Sequence, residues 1–397
     1  MAAIFAASSG APTLLVERTR DGGRKILISG GGRCNILPAR LDESRFVSEA
    51  PAHLVRRIIR SWPLREQIGF FEQRLGLPLV EEVESAKLFP ASQRAHDVRD
   101  RLLELAQRKG AELRMETTVT SLQPDQSGWL VHVDNGQDIA ARAVVIATGG
   151  LSVPSTGSDG TGLRILEGLG HQVRATYPAL TPITAEPPPF ASLAGVSLPV
   201  TVTARSNGRS STATGGFLFT HRGYSGPAVL DVSHVAVRSR MEGAAPAKIS
   251  VRWTRLTEHN WTEALSAQGS RSVGTVVAGE MPTRLAEALV EAAGIDPRLP
   301  LAHLSRANRV RLTETLLRGE LPWTADEGYK KAEVTGGGVD LNEIDPRTME
   351  SRRSPGLFLC GELLDAFGPI GGYNFLWAWA TGRSAGLGAS AIIKGLP

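Results

Sequence analysis

Three glycine-rich stretches carry the residue types suited to holding a flat, phosphate-bearing ligand. They are Ser29-Gly30-Gly31-Gly32-Arg33-Cys34-Asn35, Ala147-Thr148-Gly149-Gly150, and Cys360-Gly361-Glu362 followed by Gly371-Gly372-Tyr373-Asn374-Phe375. Glycine lets the backbone turn through left-handed conformations and approach a ligand closely. Gly30, Gly31 and Gly32 can therefore pass against a ring or a phosphate, with Lys25 and Arg33 supplying positive charge. Thr148, Gly149 and Gly150 end an apolar strand, the place where α/β sheets put their ligands. Gly361 and Glu362 follow a second strand, and Gly372 to Phe375 open a helix whose free N–H groups and positive end suit an electron-rich ring edge. Glu362 is either a partner for a ribityl chain or an exposed acid. Tyr373, Phe375, Trp377 and Trp379 can equally pack their helix into the core. Together the stretches imply one flavin site built from remote segments, in which a helix N-terminus at the pyrimidine edge stabilises the reduced ring.

Other candidates stand beside these. Glu17 closes the compact apolar strand Thr13-Leu14-Leu15-Val16, where an acid in a βαβ unit accepts hydrogen bonds from ribose hydroxyls. His221 lies in a loop, Phe219-Thr220-His221-Arg222-Gly223, and is a weak candidate acid or base, since imidazole titrates near neutrality. Cys34 and Cys360 are the 2 cysteines, without a CxxC partner. This spacing implies no disulfide framework and no metal site, and lone cysteines usually serve as small hydrophobes. Gly157-Ser158-Asp159-Gly160-Thr161-Gly162 opens a helix but does not directly follow a strand, so it reads as a loop beside the first cofactor, not a separate nicotinamide pocket.

The elements that must position these residues are legible as α/β. Residues 2–9 are helix-compatible, with Gly10 as a left-handed stop before the strand 13–16. Residues 97–109 form an amphipathic helix closed by Gly110, and 53–75 are mostly helical. Residues 117–122 and 129–133 alternate as strands, Asn135-Gly136 marks a hairpin, and 143–147 is a buried parallel strand. Prolines at 182 and 187–189 argue for a domain crossing. The expected organisation is a Rossmann-type domain in two parts, 1–185 and 333–397, with an inserted substrate domain of mixed β and helical character at 186–332.

The chain has 397 residues, 42% hydrophobic and 21% charged, enough for two or three domains with a sizeable core. No apolar run approaches the length of about 20 residues that spans a bilayer, and residues 1–10 show no leader pattern, so the expected location is cytoplasmic. The formal charge is +4, and the pI is near 9.3. The basic residues are scattered among acids, so a small-molecule substrate is expected, with no nucleic acid and no membrane partner; the oligomeric state stays open. The basic balance keeps a flavin-dependent RNA-modifying role as an alternative.

Taken together, residues 23–35, 145–150, Leu218-Phe219-Thr220-His221, Thr348-Met349-Glu350-Ser351 and Gly371-Gly372-Tyr373-Asn374 resemble the BaiN and aminoacetone-oxidase-like family of FAD-dependent oxidoreductases. The resemblance spans nearly the whole chain. It implies a Rossmann-type FAD domain, a substrate domain inserted late in the chain, and bound FAD. The expected activity is hydride transfer between flavin N5 and an unidentified small organic substrate, with the reductant open and NAD(P)H able to bind transiently over the flavin. Residue by residue it implies Glu17 at the adenosine ribose, Val119 at the adenine, and Lys25 and Gly30 to Asn35 along the FAD. Thr148 to Gly150 would lie near the pyrophosphate, and Gly361, Glu362 and Gly372 to Phe375 around the ribityl chain and ring. Members begin with a strand, a GxGxxG loop and a helix resembling Leu-Met-Ala-Ala-Ile. This chain starts at that methionine, so the resemblance implies that the first strand and glycine loop are missing here, with a non-catalytic remnant that does not retain FAD as the alternative. Gly216 also stands where relatives commonly have Glu.

Overall fold

The computed structural model describes residues 1–266 and 270–395. The chain divides into one unit made of Met1–Tyr177 and Val334–Pro397, and a second, Pro178–Glu333. The first crossing precedes the proline-rich stretch expected to carry it, because that stretch already contains a strand. Ile183 and Thr184 pair antiparallel with Tyr224 and Gly223 on one side and with Asp326 and Ala325 on the other.

The first unit opens with α1 (Ala2–Ser8) and β1 (Thr13–Val16). Between them Gly10, at φ +80°, makes a left-handed turn that a side chain would resist. Helices α2 (Ala52–Arg60) and α3 (Ala95–Arg108) lead to β2 (Ala111–Arg114), which pairs in parallel with β1. In α3, Val98, Leu102, Leu105 and Ala106 are buried at helical spacing while the intervening charges face outward. An antiparallel meander follows, β3 (Val119–Asp125), β4 (Gly128–Val133) and β5 (Ile139–Ala141). Trp129, Val131 and Val133 point inward on alternate positions of β4, as a half-buried strand requires.

Strand β6 (Val144–Ile146), helix α4 (Thr161–Gly168) and strand β7 (Val173–Ala179) complete the first segment. On return, β8 (Val334–Val339) pairs with β7, and β9 (Leu357–Leu359) pairs in parallel with β6. Helix α5 (Tyr373–Lys394) ends at Gly395, whose φ of +65° supplies the left-handed stop. Gly382 and Gly386 let α1 lie directly on α5: a Cβ on Gly386 would fall on the Ala2 carbonyl oxygen.

The second unit has its own core around a 7-stranded antiparallel sheet. Its centre is the long hairpin Ser197–Ser206 with Arg209–Thr220, flanked by Lys248–Arg252. Phe217 and Phe219 pack on Trp253, and the helix Pro227–Met241 lies against the hairpin. No helix among the described residues is long and apolar enough to cross a membrane.

Candidate functional site

The segments expected to share a ligand meet at Glu362. Its Oε2 accepts a hydrogen bond from the Lys25 ammonium at 2.6 Å, and its Oε1 accepts from the Thr335 N–H at 3.0 Å and the Thr335 hydroxyl at 2.9 Å. The Ser152 hydroxyl donates to the same Oε1, and Lys25 also reaches the Ser152 Oγ. The Thr335 Oγ1 in turn accepts from the backbone N–H of Leu151 at 2.7 Å and of Ser152 at 3.1 Å. One carboxylate thus ties together four stretches of chain, at residues 25, 151–152, 335 and 362. Charged hydrogen bonds of this kind are the strong ones.

Gly361 is held from both sides by α5. Its N–H donates to the Thr381 hydroxyl at 3.0 Å, and its carbonyl accepts from the Trp377 indole N–H at 3.0 Å. Thr381 and Trp377 sit four residues apart on one helix face, so a single helix grips both backbone polar groups of Gly361. Ser152, Thr335 and Thr381 belong to no motif that marks them in the sequence. Their only signal is a hydroxyl beside Gly149-Gly150, a hydroxyl before Gly336-Gly337-Gly338, and a helical Thr one turn after Trp377.

The glycines sort into two kinds. Gly31 at φ +68° and Gly361 at φ +82° have left-handed backbones and nothing within 4 Å of an added Cβ. They present bare backbone to open space. Gly30, by contrast, would meet the Asn35 nitrogen at 3.0 Å and a Phe89 ring carbon at 3.1 Å, so its glycine closes the 29–35 turn. A Cβ on Gly150 would fall on the Thr335 hydroxyl, and one on Gly372 on the Leu37 backbone. A Cβ on Gly32 meets only the Leu27 carbonyl, at 3.9 Å. Gly149, at φ +72°, faces the Ser158 hydroxyl, and Gly162 lies against exposed Thr148, so the end of β6 abuts the start of α4.

The remaining expected residues fall at stated places. The Glu17 Oε1 accepts from the Thr19 N–H at 2.8 Å and its hydroxyl at 2.7 Å, and no described bond uses Oε2. Next to it, Arg18 pairs with Asp159 at 2.6 Å; burial opposes the Asp159 charge, but the Thr161 hydroxyl and Arg18 hold its carboxyl down to about 2. The 17–19 and 157–162 loops are thereby joined. Val119 lines a cavity of about 520 Å³ between β3 and α4, and the chain just before it bonds back to Glu17 through the Thr117 N–H.

Arg33 is engaged within the protein: its guanidinium pairs with Glu82 at 3.0 Å, its Nε donates to the Gly30 carbonyl at 3.3 Å, and it lies 4.2 Å from the Phe89 ring centre. Cys34 and Cys360 are buried, which pushes each thiol up to about 12 and keeps it protonated. Asn374 bonds both the N–H and the carbonyl of Gly368 at 2.9 Å, fixing the loop before α5. Tyr373 is buried, with its hydroxyl bonded to the Asp42 N–H and the Arg40 carbonyl, and Phe375 stacks on Trp379 at 5.2 Å. The Trp379 indole donates to the Ile36 carbonyl at 3.1 Å, so both tryptophans serve packing. His221 is exposed at the two-residue tip of the hairpin that pairs Thr220 with Gly223 in the second unit.

This donor set fits FAD. Glu17 offers a carboxylate oxygen to ribose hydroxyls, Gly31 and Gly361 offer bare backbone to a flat ring, and α5 begins at Gly372 without a side-chain cap.

A family model described as the HI0933-like protein Rossmann domain matches residues 1–388. A ribosomal RNA dihydrouridine synthase of Escherichia coli K12 is 34% identical over 95% of this chain and 92% of its own length. A 3-dehydro-bile acid delta(4,6)-reductase of Clostridium scindens is 31% identical over 98% of this chain and 96% of its own. Among solved structures, a 3-ketosteroid-delta4-(5alpha)-dehydrogenase of Rhodococcus jostii RHA1 is 16% identical with a TM-score of 0.46, covering 98% of this chain and 94% of that one. Matched along almost its full length, the chain belongs to the HI0933-like Rossmann family and is an FAD-dependent oxidoreductase.

Proposed function

We propose that this chain reduces a carbon–carbon double bond conjugated to a carbonyl, with a uracil base in RNA as the acceptor and dihydrouracil as the product. Both relatives' names describe that bond type: dihydrouridine is uridine with its ring double bond reduced, and the other enzyme removes double bonds from a 3-oxo steroid. The observation that carries the choice of RNA is the ribosomal RNA dihydrouridine synthase relative, 34% identical over 95% of this chain. The formal +4 and pI near 9.3 are compatible with a polyanion, although the basic residues are scattered among acids.

Reduced FAD supplies a hydride equivalent when bound, and NAD(P)H is the reductant in this reading. The protein's part is orientation and charge. The uncapped N-terminus of α5 favours negative charge at the ring edge it faces. Lys25, Ser152 and Thr335 hold Glu362 in one place, so the ribityl side of the site is fixed before ligand arrives. The acceptor gains one hydride and one proton, two hydrogens in all. A cytoplasmic location, where both buried thiols stay reduced, accompanies this reading.

The test is anaerobic. FAD-loaded protein is photoreduced and mixed either with uridine-containing RNA or with a 4,6-dien-3-one steroid, and flavin reoxidation is followed with analysis of the product. Reoxidation by RNA with dihydrouracil formed is the expected result. Reoxidation by the steroid alone establishes the second reading, a small-molecule enone reductase, which the bile-acid relative favours.

A further inference from the structure

We infer that a second site, a cleft between α2, α5 and residues 346–348, binds the phosphate backbone of an RNA substrate; the inference rests on the RNA reading of function. The cleft encloses about 860 Å³, and its lining holds five arginines and one histidine but no carboxylate.

Helix α2 explains the stripe. Val55, Ile58 and Ile59 are buried, while His53, Arg56, Arg57 and Arg60 recur at i, i+3, i+4 and i+7 on the exposed face. Arg347 adds an exposed guanidinium from the facing chain.

The arginines are not equivalent. Arg60 is neutralised by Glu43, with Nε bonded to both carboxylate oxygens at 2.9 and 3.0 Å. Arg383 is half-buried and structural: it donates to the Ser61 carbonyl at 3.2 Å and lies 5.5 Å from the ring centres of Phe5 and Trp62. Arg56, Arg57 and Arg347 have no ion pair among the described residues. Three uncompensated positive charges around one concavity repel one another, an arrangement relieved by an anion. Arginine's planar fork matches phosphate oxygens two at a time, which a lysine cannot do.

The cleft lies apart from the flavin segments but on the same helix. Tyr373 begins α5 and Arg383 lies about 15 Å further along its axis. One strand of a duplex carries a phosphate about every 3.4 Å. A base taken up near Gly372 and a backbone held at the cleft are therefore separated by only a few nucleotides, the reach needed when a nucleotide is drawn out of its stack.

The experiment measures binding of FAD-loaded protein to a fluorescein-labelled, uridine-rich RNA hairpin across a salt series. The variants are Arg56→Glu with Arg57→Glu, Arg347→Glu, and lysine at all three positions. Charge reversal is expected to weaken binding about tenfold or more and to lower the salt slope by about one for each phosphate no longer neutralised. The lysine variant should keep most of the slope, and flavin retention should not change in any variant. Charge-reversed proteins that bind with wild-type affinity and slope overturn the cleft and leave the RNA reading standing. A wild-type protein that does not bind the hairpin even at low salt overturns both. Binding to phosphatidylserine vesicles that is abolished on charge reversal, with RNA binding unaffected, also overturns the proposal.

Discussion

At the scale of residues, Glu362 is the junction, and Thr335 is the residue that makes it one. The Thr335 hydroxyl accepts from two backbone N–H groups and donates to the Glu362 carboxylate. Thr335→Val keeps the shape and removes the oxygen, leaving the Leu151 and Ser152 N–H groups without their acceptor. Unsatisfied buried groups cost about 1–3 kcal/mol each. Denaturant unfolding should show a loss of that order, and unchanged stability would mean water replaces the hydroxyl freely. Much of this junction is legible in the residues themselves, since Lys25, Gly361 and Glu362 all stand out by type. Arg33 does not behave as its neighbours suggest, because its partner Glu82 lies 49 positions away and only the fold brings the two together.

At the scale of elements, the packing of α1 on α5 is made by absence of side chains. Gly386 in a helix interior would ordinarily gain about 1 kcal/mol on replacement by alanine. Here the added methyl falls on the Ala2 carbonyl oxygen, and overpacking of this kind costs about 1–3 kcal/mol. Gly386→Ala should therefore destabilise the protein, read as a lower denaturant midpoint with an unchanged slope; a gain in stability would show that α1 does not lie on α5 as described. Strands and amphipathic helices are readable where their periods are plain, as in α3 and β4. The helix Pro227–Met241 does not stand out in the sequence, because ten of its residues are buried on several sides and leave no single apolar stripe. The proline-rich segment near 182–189 misleads for a related reason: prolines mark turns, and a strand of only two residues, Ile183–Thr184, leaves almost no pattern even though it is paired on both sides.

At the scale of the whole molecule, acid should unfold the protein partly through its second unit. His234 is buried in the helix Pro227–Met241, and burial pushes its pKa down to about 4, with the Asp231 carbonyl opposing and Arg238 and Arg209 adding to the fall. An unfolded histidine titrates near 6.5, so the unfolded chain binds this proton first as pH falls. Stability from His234 is complete above about pH 6.5 and is lost on the way to about pH 4, on the order of 3 kcal/mol in all. His171 is also lowered by burial, against its bond to Glu343, and contributes a slope of the same sign. His234→Gln should flatten the acid limb of a stability–pH curve while leaving stability above pH 7 nearly independent of pH. An unaltered acid limb would show that His234 does not drive the acid transition.

At every scale the molecule turns on remote segments joined at Glu362, which we propose hold FAD. This is tested most directly by the visible absorption of the protein after incubation with excess FAD and desalting, compared with Glu362→Gln, which removes the charge that Lys25, Ser152 and Thr335 converge upon. Flavin retained one-to-one by the unaltered protein and largely lost by Glu362→Gln is the expected result. A colourless unaltered protein, or equal retention by both, would contradict it.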